Sequence, residues 1–187
     1  MSAVARIALL LRAVNVGGRK LPMADLRALL TRLGHTEVTT ILASGQAVCT
    51  TDRRPDEVAD ELEARLLSDV GLRSEVLVRT GTELAAIVAA NPFPTADADG
   101  SRHAVVFLRA GLTQDQLTQL DQLGRLGADS PDEYVASGRE LYLRLPEGFA
   151  DSRLAVAVGR IKGTPATTRN WNTVRKLADL TGGRPGQ

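Results

Sequence analysis

An α+β chain made of two tandem ferredoxin-like halves, each βαββαβ plus a closing helix, is the fold this sequence predicts. Three observations predict it. Short apolar stretches of strand length alternate with segments whose aliphatic residues recur at helical spacing. Their order in the first half is strand, helix, strand, strand, helix, strand, helix, which contains the split βαβ pattern. The same order then begins again, with local identities at matching places.

In the first half, residues 6–14 are short and apolar, as a buried central strand is. Asn15-Val16-Gly17-Gly18-Arg19-Lys20 breaks that strand as a glycine loop. Pro22 suits a first helical turn, where its missing N–H is harmless. Met23, Leu26, Leu30 and Leu33 follow on one helical face, and Gly34 ends the helix. Residues 38–43 and 47–51 are strands joined by a Ser44-Gly45-Gln46 turn. Pro55 opens a helix carrying Val58, Leu62, Leu66 and Val70, with Gly71 after it. Residues 75–79 form a fourth strand. Thr80 and Glu83 make a capping box for a helix bearing Leu84, Ile87 and Val88. Asn91-Pro92-Phe93-Pro94 stops that helix.

Residues 95–101, alternating Ala and Asp before Gly-Ser, read as a linker between a half at 1–94 and a half at 102–187. The second half repeats the order. Residues 103–109 are a strand, and Thr113 with Gln116 caps a helix bearing Leu117, Leu120 and Leu123. Residues 134–137 and 140–145 form a hairpin around Gly138-Arg139. Asp151 or Ser152 starts a helix with Leu154, Val158 and Ile161. Residues 164–168 are a short strand and 170–180 the last helix. Leu11-Arg12-Ala13 returns as Leu108-Arg109-Ala110, 97 positions on (109 − 12). Ala43-Ser44-Gly45 returns as Ala136-Ser137-Gly138, 93 on (137 − 44), and Arg79 as Arg169, 90 on (169 − 79). Ordered matches of this kind favour an internal duplication.

Hydrophobic residues make up 43% of 187, enough for a real core. With 23 basic and 22 acidic side chains the net charge is +1, which excludes a chain dedicated to polyanions by bulk charge. Cys49 is the only cysteine, so no intrachain disulfide forms, and a cytoplasmic location is expected. Ile7-Ala8-Leu9-Leu10-Leu11 is too short for a membrane span, and no small-residue cleavage site follows it. Two distant histidines and one cysteine give no metal set, and no cofactor motif is present.

Two segments are candidates for a ligand site. The first follows the central strand: Arg12, Asn15, Gly17, Gly18, Arg19 and Lys20, with Ser44 on the hairpin turn. Glycines let backbone N–H groups approach an anion closely, and a helix start adds favourable partial charge. The spacing is neither that of a P-loop nor a dinucleotide fingerprint. A tight turn that needs glycine is the other reading. The second segment is Arg169-Asn170-Trp171-Asn172 with Lys176, around the only tryptophan. Asn170 suits an N-cap, while Trp171, Val174, Leu177 and Ala178 make one apolar face. Arg169, Asn172 and Lys176 would then surround an anionic or planar ligand, with Trp171 as a stacking wall. Alternatively Arg169 pairs with a carboxylate, Asn170 caps and Trp171 is core.

Leu10-Leu11-Arg12-Ala13-Val14-Asn15-Val16-Gly17-Gly18, Met23-Ala24-Asp25-Leu26-Arg27, Ala43-Ser44-Gly45, Asn91-Pro92-Phe93 and Thr168-Arg169-Asn170-Trp171-Asn172-Thr173-Val174 resemble the DUF1697 family, small bacterial proteins of unknown function. Members usually carry Gly where this chain has Ala13, and Asn where it has Gln46. The resemblance implies a two-part α+β fold and no activity.

The leading expectation is therefore a binding protein for a small anionic ligand, a nucleotide or phosphorylated metabolite. RNA or single-stranded nucleic acid is the second class, suggested by the fold, although Phe107, Tyr134 and Tyr142 are the few aromatics on its strands. An enzyme using Arg, Asn, Ser and Gln side chains without metal or histidine is the third, and a structural or homo-oligomeric interaction role the fourth. Whether any reaction is catalysed stays open at this level.

Overall fold

The computed structural model describes residues 4–18, 20–41, 45–124 and 130–182. Arg19, Ala43 and Ser44 lie outside the described residues. By contacts the chain divides into two compact units, Met1–Ala89 with Lys176–Gln187, and Ala90–Arg175.

The first unit runs β1 (Ala5–Leu11), α1 (Met23–Arg32), β2 (Thr36–Ile41), β3 (Gln46–Thr51), α2 (Pro55–Val70), β4 (Val76–Thr80) and α3 (Gly81–Ala89). Its strands form one antiparallel sheet in the order β2-β3-β1-β4. The unbroken apolar run of β1 is explained by burial on both faces. Ile7, Leu9 and Leu11 join the core with Leu26, Leu30, Leu62 and Leu66 of α1 and α2, while Ala8 and Leu10 on the reverse face are equally buried. Full burial of each such Leu or Ile contributes about 1.5–3 kcal/mol. The strand stops at Leu11, three residues short of the sequence reading, because Ala13 and Asn15 take left-handed φ of 53° and 58°. Gly45 closes the hairpin at φ 78°, where a Cβ would come within 3.0 Å of the Val14 Cβ. Thr80 and Glu83 form the expected capping box: the Glu83 N–H donates to Thr80 Oγ1 at 3.2 Å and the Thr80 N–H to Glu83 Oε2 at 2.7 Å.

The second unit runs β5 (His103–Leu108), α4 (Gln114–Gly124), β6 (Glu133–Ser137), β7 (Glu140–Arg144), α5 (Arg153–Gly159) and β8 (Ala166–Asn170), and takes in the start of α6 (Trp171–Leu180). Its sheet is again antiparallel, in the order β6-β7-β5-β8. α4 and α5 pack on each other. Leu120, Leu154 and Val158 meet Val106, Leu108, Leu141 and Leu143 of the sheet in one core. Thr113 and Gln116 cap α4 reciprocally, and the Ala155 N–H donates to Ser152 Oγ at 2.9 Å to cap α5. Ile161 lies beyond the end of α5, not on it, and packs at the margin of the core. Residues 95–101 fold within this unit: Ala96 is fully buried and His103 bonds back to Thr95 and Asp99.

The chain is thus a mixed α/β fold with two four-stranded antiparallel sheets and, among the described residues, six helices. No described helix is long and apolar enough to cross a membrane.

Candidate functional site

The C-terminal end of β1 is pinned from both sides, because β1 is central. The Leu11 N–H donates to the Gly45 carbonyl at 2.8 Å and the Arg12 N–H to the Glu75 carbonyl at 2.9 Å. Ser74 Oγ donates to the Arg12 carbonyl at 2.8 Å. Arg12, pinned in this way, lines a cleft of about 610 Å³. One wall comes from α2, where Asp60, Glu63, Ala64 and Leu67 share a helical face by their i, i+3, i+4, i+7 spacing. The other wall is Arg12, Ala13, Arg73, Ser74 and Glu75. Arg12 Nη1 donates to Glu75 Oε2 at 2.6 Å, with the two side chains 42% and 41% exposed. Glu63 Oε1 accepts the Val76 N–H at 2.8 Å, which fixes that carboxylate against the start of β4.

Of the described residues singled out as site candidates in the sequence, Arg12 alone lines this cleft. Asn15 closes the glycine loop: its Oδ1 accepts the Leu21 N–H at 2.8 Å and its Nδ2 donates to the Leu21 carbonyl at 3.0 Å. Gly17 and Gly18 take φ of 59° and 84° with open space beside them, and Lys20 is exposed. The cleft residues the sequence reading passed over, Arg73, Ser74 and Glu75, had a signal. A fourth strand antiparallel to a central first strand must begin where the first one ends, as Leu11 opposite Val76 does.

The C-terminal segment is built differently. Arg169 is 8% exposed and Nη1 donates to Thr167 Oγ1 at 2.7 Å and the Thr168 carbonyl at 2.8 Å. Burial pulls its guanidinium down to about 10, which leaves it charged at neutral pH. Asn170 caps α6, its Oδ1 accepting the Thr173 N–H at 2.9 Å. Trp171 is 2% exposed, and Nε1 donates to Asp97 Oδ1 at 2.8 Å. Asp97 also meets Arg175 at 3.3 Å. Asn172 packs against Gly100, where any Cβ would collide with its amide. Lys176 is exposed on α6, four residues beyond Asn172.

Other reactive groups are quiet. Burial pushes the Cys49 thiol up to about 12, so it stays protonated and packs as a small hydrophobe. His103 bonds to the Asp99 carbonyl and Thr95 Oγ1, which organises its own loop. Phe107 and Tyr142 are buried, and Tyr134 donates to Asp121 at 2.7 Å.

Two units of mixed α/β structure, one carrying an open cleft with charged residues at a central strand end, define the class. The chain belongs to the DUF1697 family, proteins of unknown function, whose model matches residues 4–142. It is also similar to the solved structure of a conserved bacterial protein, SP0830 from Streptococcus pneumoniae. The two share 22% identity over 96% of this chain and 99% of that one, with a TM-score of 0.76, a likeness of fold. Nothing among the curated proteins matches.

Proposed function

We propose that the chain is a binding protein for a small acid-bearing molecule, held in the first unit's cleft by Arg12 and Arg73. The observation that carries this reading is the cleft itself, about 610 Å³ with two guanidiniums on one wall. Cavities of roughly 300–1,000 Å³ suit small ligands. The Arg12–Glu75 pair supports it further. Both side chains are substantially exposed, and exposed pairs are worth about 0–1 kcal/mol. A ligand carboxylate or phosphate can therefore replace Glu75 on Arg12 with little loss. Asn15, Gly17, Gly18 and Lys20 serve as the loop leaving Arg12, and Arg169, Asn170, Trp171 and Asn172 as supports for the start of α6. The single buried Cys49 accords with work in the cytoplasm. Calorimetric titration with phosphate, nucleotides, phosphosugars and short carboxylates tests the reading. Saturable binding weakened at least tenfold by Arg12→Ala and by Arg73→Ala is expected; equal affinity in wild type and both variants overturns it.

We further infer that each unit is a ferredoxin-like repeat and that the two arose by duplication. The sheet orders correspond strand for strand. So do hydrogen bonds at a constant spacing of 90. Arg79 and Arg169 each donate from Nη1 to the preceding carbonyl, and Thr80 and Asn170 each cap the next helix (170 − 80). Ser74 and Thr164 each tie down the loop after the central strand (164 − 74).

A further inference from the structure

The charge of the cleft is two-sided. Arg12 and Arg73 line it together with the acids Asp60, Glu63 and Glu75, a formal balance of −1 (2 − 3). The positive groups sit on the strand-end wall, and two of the acids sit on the α2 wall. Glu75 is paired with Arg12, and Glu63 is held at Val76. Among the described residues the side chains of Asp60 and Arg73 make no hydrogen bond or ion pair. On the same face of α2 as Asp60 stand Ala64 and Leu67, the latter 46% exposed, an apolar strip in a charged cleft.

A ligand carrying negative charge alone would satisfy one wall and be repelled by the other. Like charges a few ångströms apart oppose binding at about the strength that opposite charges favour it. We propose that the ligand is amphoteric: a dipeptide-sized molecule with free ends and an apolar body. Its carboxylate sits with Arg12 and Arg73, its ammonium with Asp60 and Glu63, and its aliphatic side chains on Ala64 and Leu67. This rests on the binding role proposed above for the same cleft, and it names the class of ligand.

The test uses three probes with one apolar body: leucyl-leucine, its N-acetyl form, which lacks the cation, and its C-terminal amide, which lacks the anion. Each is titrated calorimetrically into the full chain and into Asp60→Asn and Arg73→Ala. Both substitutions are at exposed side chains, and melting curves confirm that the variants fold. The expected result is saturable binding of leucyl-leucine, at least tenfold weaker for either blocked form. Asp60→Asn then weakens the free dipeptide but not the N-acetyl form. If the N-acetyl form binds as tightly as the free dipeptide and Arg73→Ala weakens both, the amphoteric inference falls and the acid-binding reading stands. If no peptide binds, the amphoteric inference falls, and the acid-binding reading falls with it only when phosphate compounds are silent as well.

Discussion

Arg12 and Glu75 are joined twice, by a backbone hydrogen bond of 2.9 Å and by a side-chain ion pair of 2.6 Å. The two ties differ in kind. The backbone bond extends the β1–β4 ladder and sets the position of both residues. The ion pair is exposed and weak. Glu75→Gln should therefore change stability by less than about 1 kcal/mol in urea denaturation. The same change should raise affinity for an acid-bearing ligand, because Arg12 loses its competitor. A loss of stability well beyond that range would mean that the pair is structural.

The loop after Arg12 depends on Asn15 in two ways. Its φ of 58° is one that Asn tolerates better than most residues, and its side chain clamps both polar atoms of the Leu21 backbone. Asn15→Ala should cost about 1–3 kcal/mol, from two lost hydrogen bonds and the strained φ. Ala13→Gly should go the other way. Ala at φ 53° is strained by roughly 1–2 kcal/mol, while glycine gives back about 0.4–1 in unfolded-chain entropy. Equilibrium denaturation of both variants should show opposite signs, and matching signs would contradict this account of the loop.

Arg79, 1% exposed, and Arg169, 8% exposed, are buried at the same place in their sheets. Arg79 lies opposite Ala8 of β1, and Arg169 opposite Val105 of β5. Replacing either with Ala removes buried hydrogen bonds and leaves a void, so each should cost on the order of 2–4 kcal/mol. Trp171 should emit in the blue and resist iodide. Asp97→Ala should shift that emission by removing the Nε1 acceptor. A red, readily quenched Trp171 in the native protein would contradict its placement.

His35 gives the protein an acid sensitivity. It is 3% exposed, and Nε2 has no hydrogen-bond partner among the described residues. Burial, with the Arg53 charge adding to it and Glu61 and Asp52 opposing it, holds its pKa below the ordinary 6.5. The folded state therefore prefers neutral His35. Its contribution is fully present above pH 6.5 and is lost as pH falls below 6.5 through the folded value. The denaturation midpoint should drop over that window in the wild type and drop less in His35→Gln. An unchanged slope in the variant would remove His35 as the cause.

Much of the fold was legible because burial wrote it into the residue pattern. Leu26 and Leu30, or Val58, Leu62 and Leu66, repeat at the spacing their core demands, and the capping pairs Thr80–Glu83 and Thr113–Gln116 are local chemistry. Element ends were less legible. The last strand begins at Ala166, two residues later than its pattern suggested, because tertiary pairing with Leu108 sets its start. The site was only partly legible. Arg12 stood out beside its glycines, but Arg73 and Asp60 belong to no motif. Their convergence depends on antiparallel pairing and on how α2 lies against β4, which no local spacing records. Arg169 and Trp171 drew the eye for being polar and rare, and the structure puts both side chains inside.

The most direct test of the cleft is an amide NMR titration of the uniformly ¹⁵N-labelled chain with leucyl-leucine and with a phosphate compound in parallel. The account predicts saturable shifts with leucyl-leucine on both walls, at Ala13, Ser74 and Glu75 and at Ala64 and Leu67. Shifts centred on Gly17 to Lys20 or on Arg169 to Asn172, with the cleft walls unmoved, would contradict it.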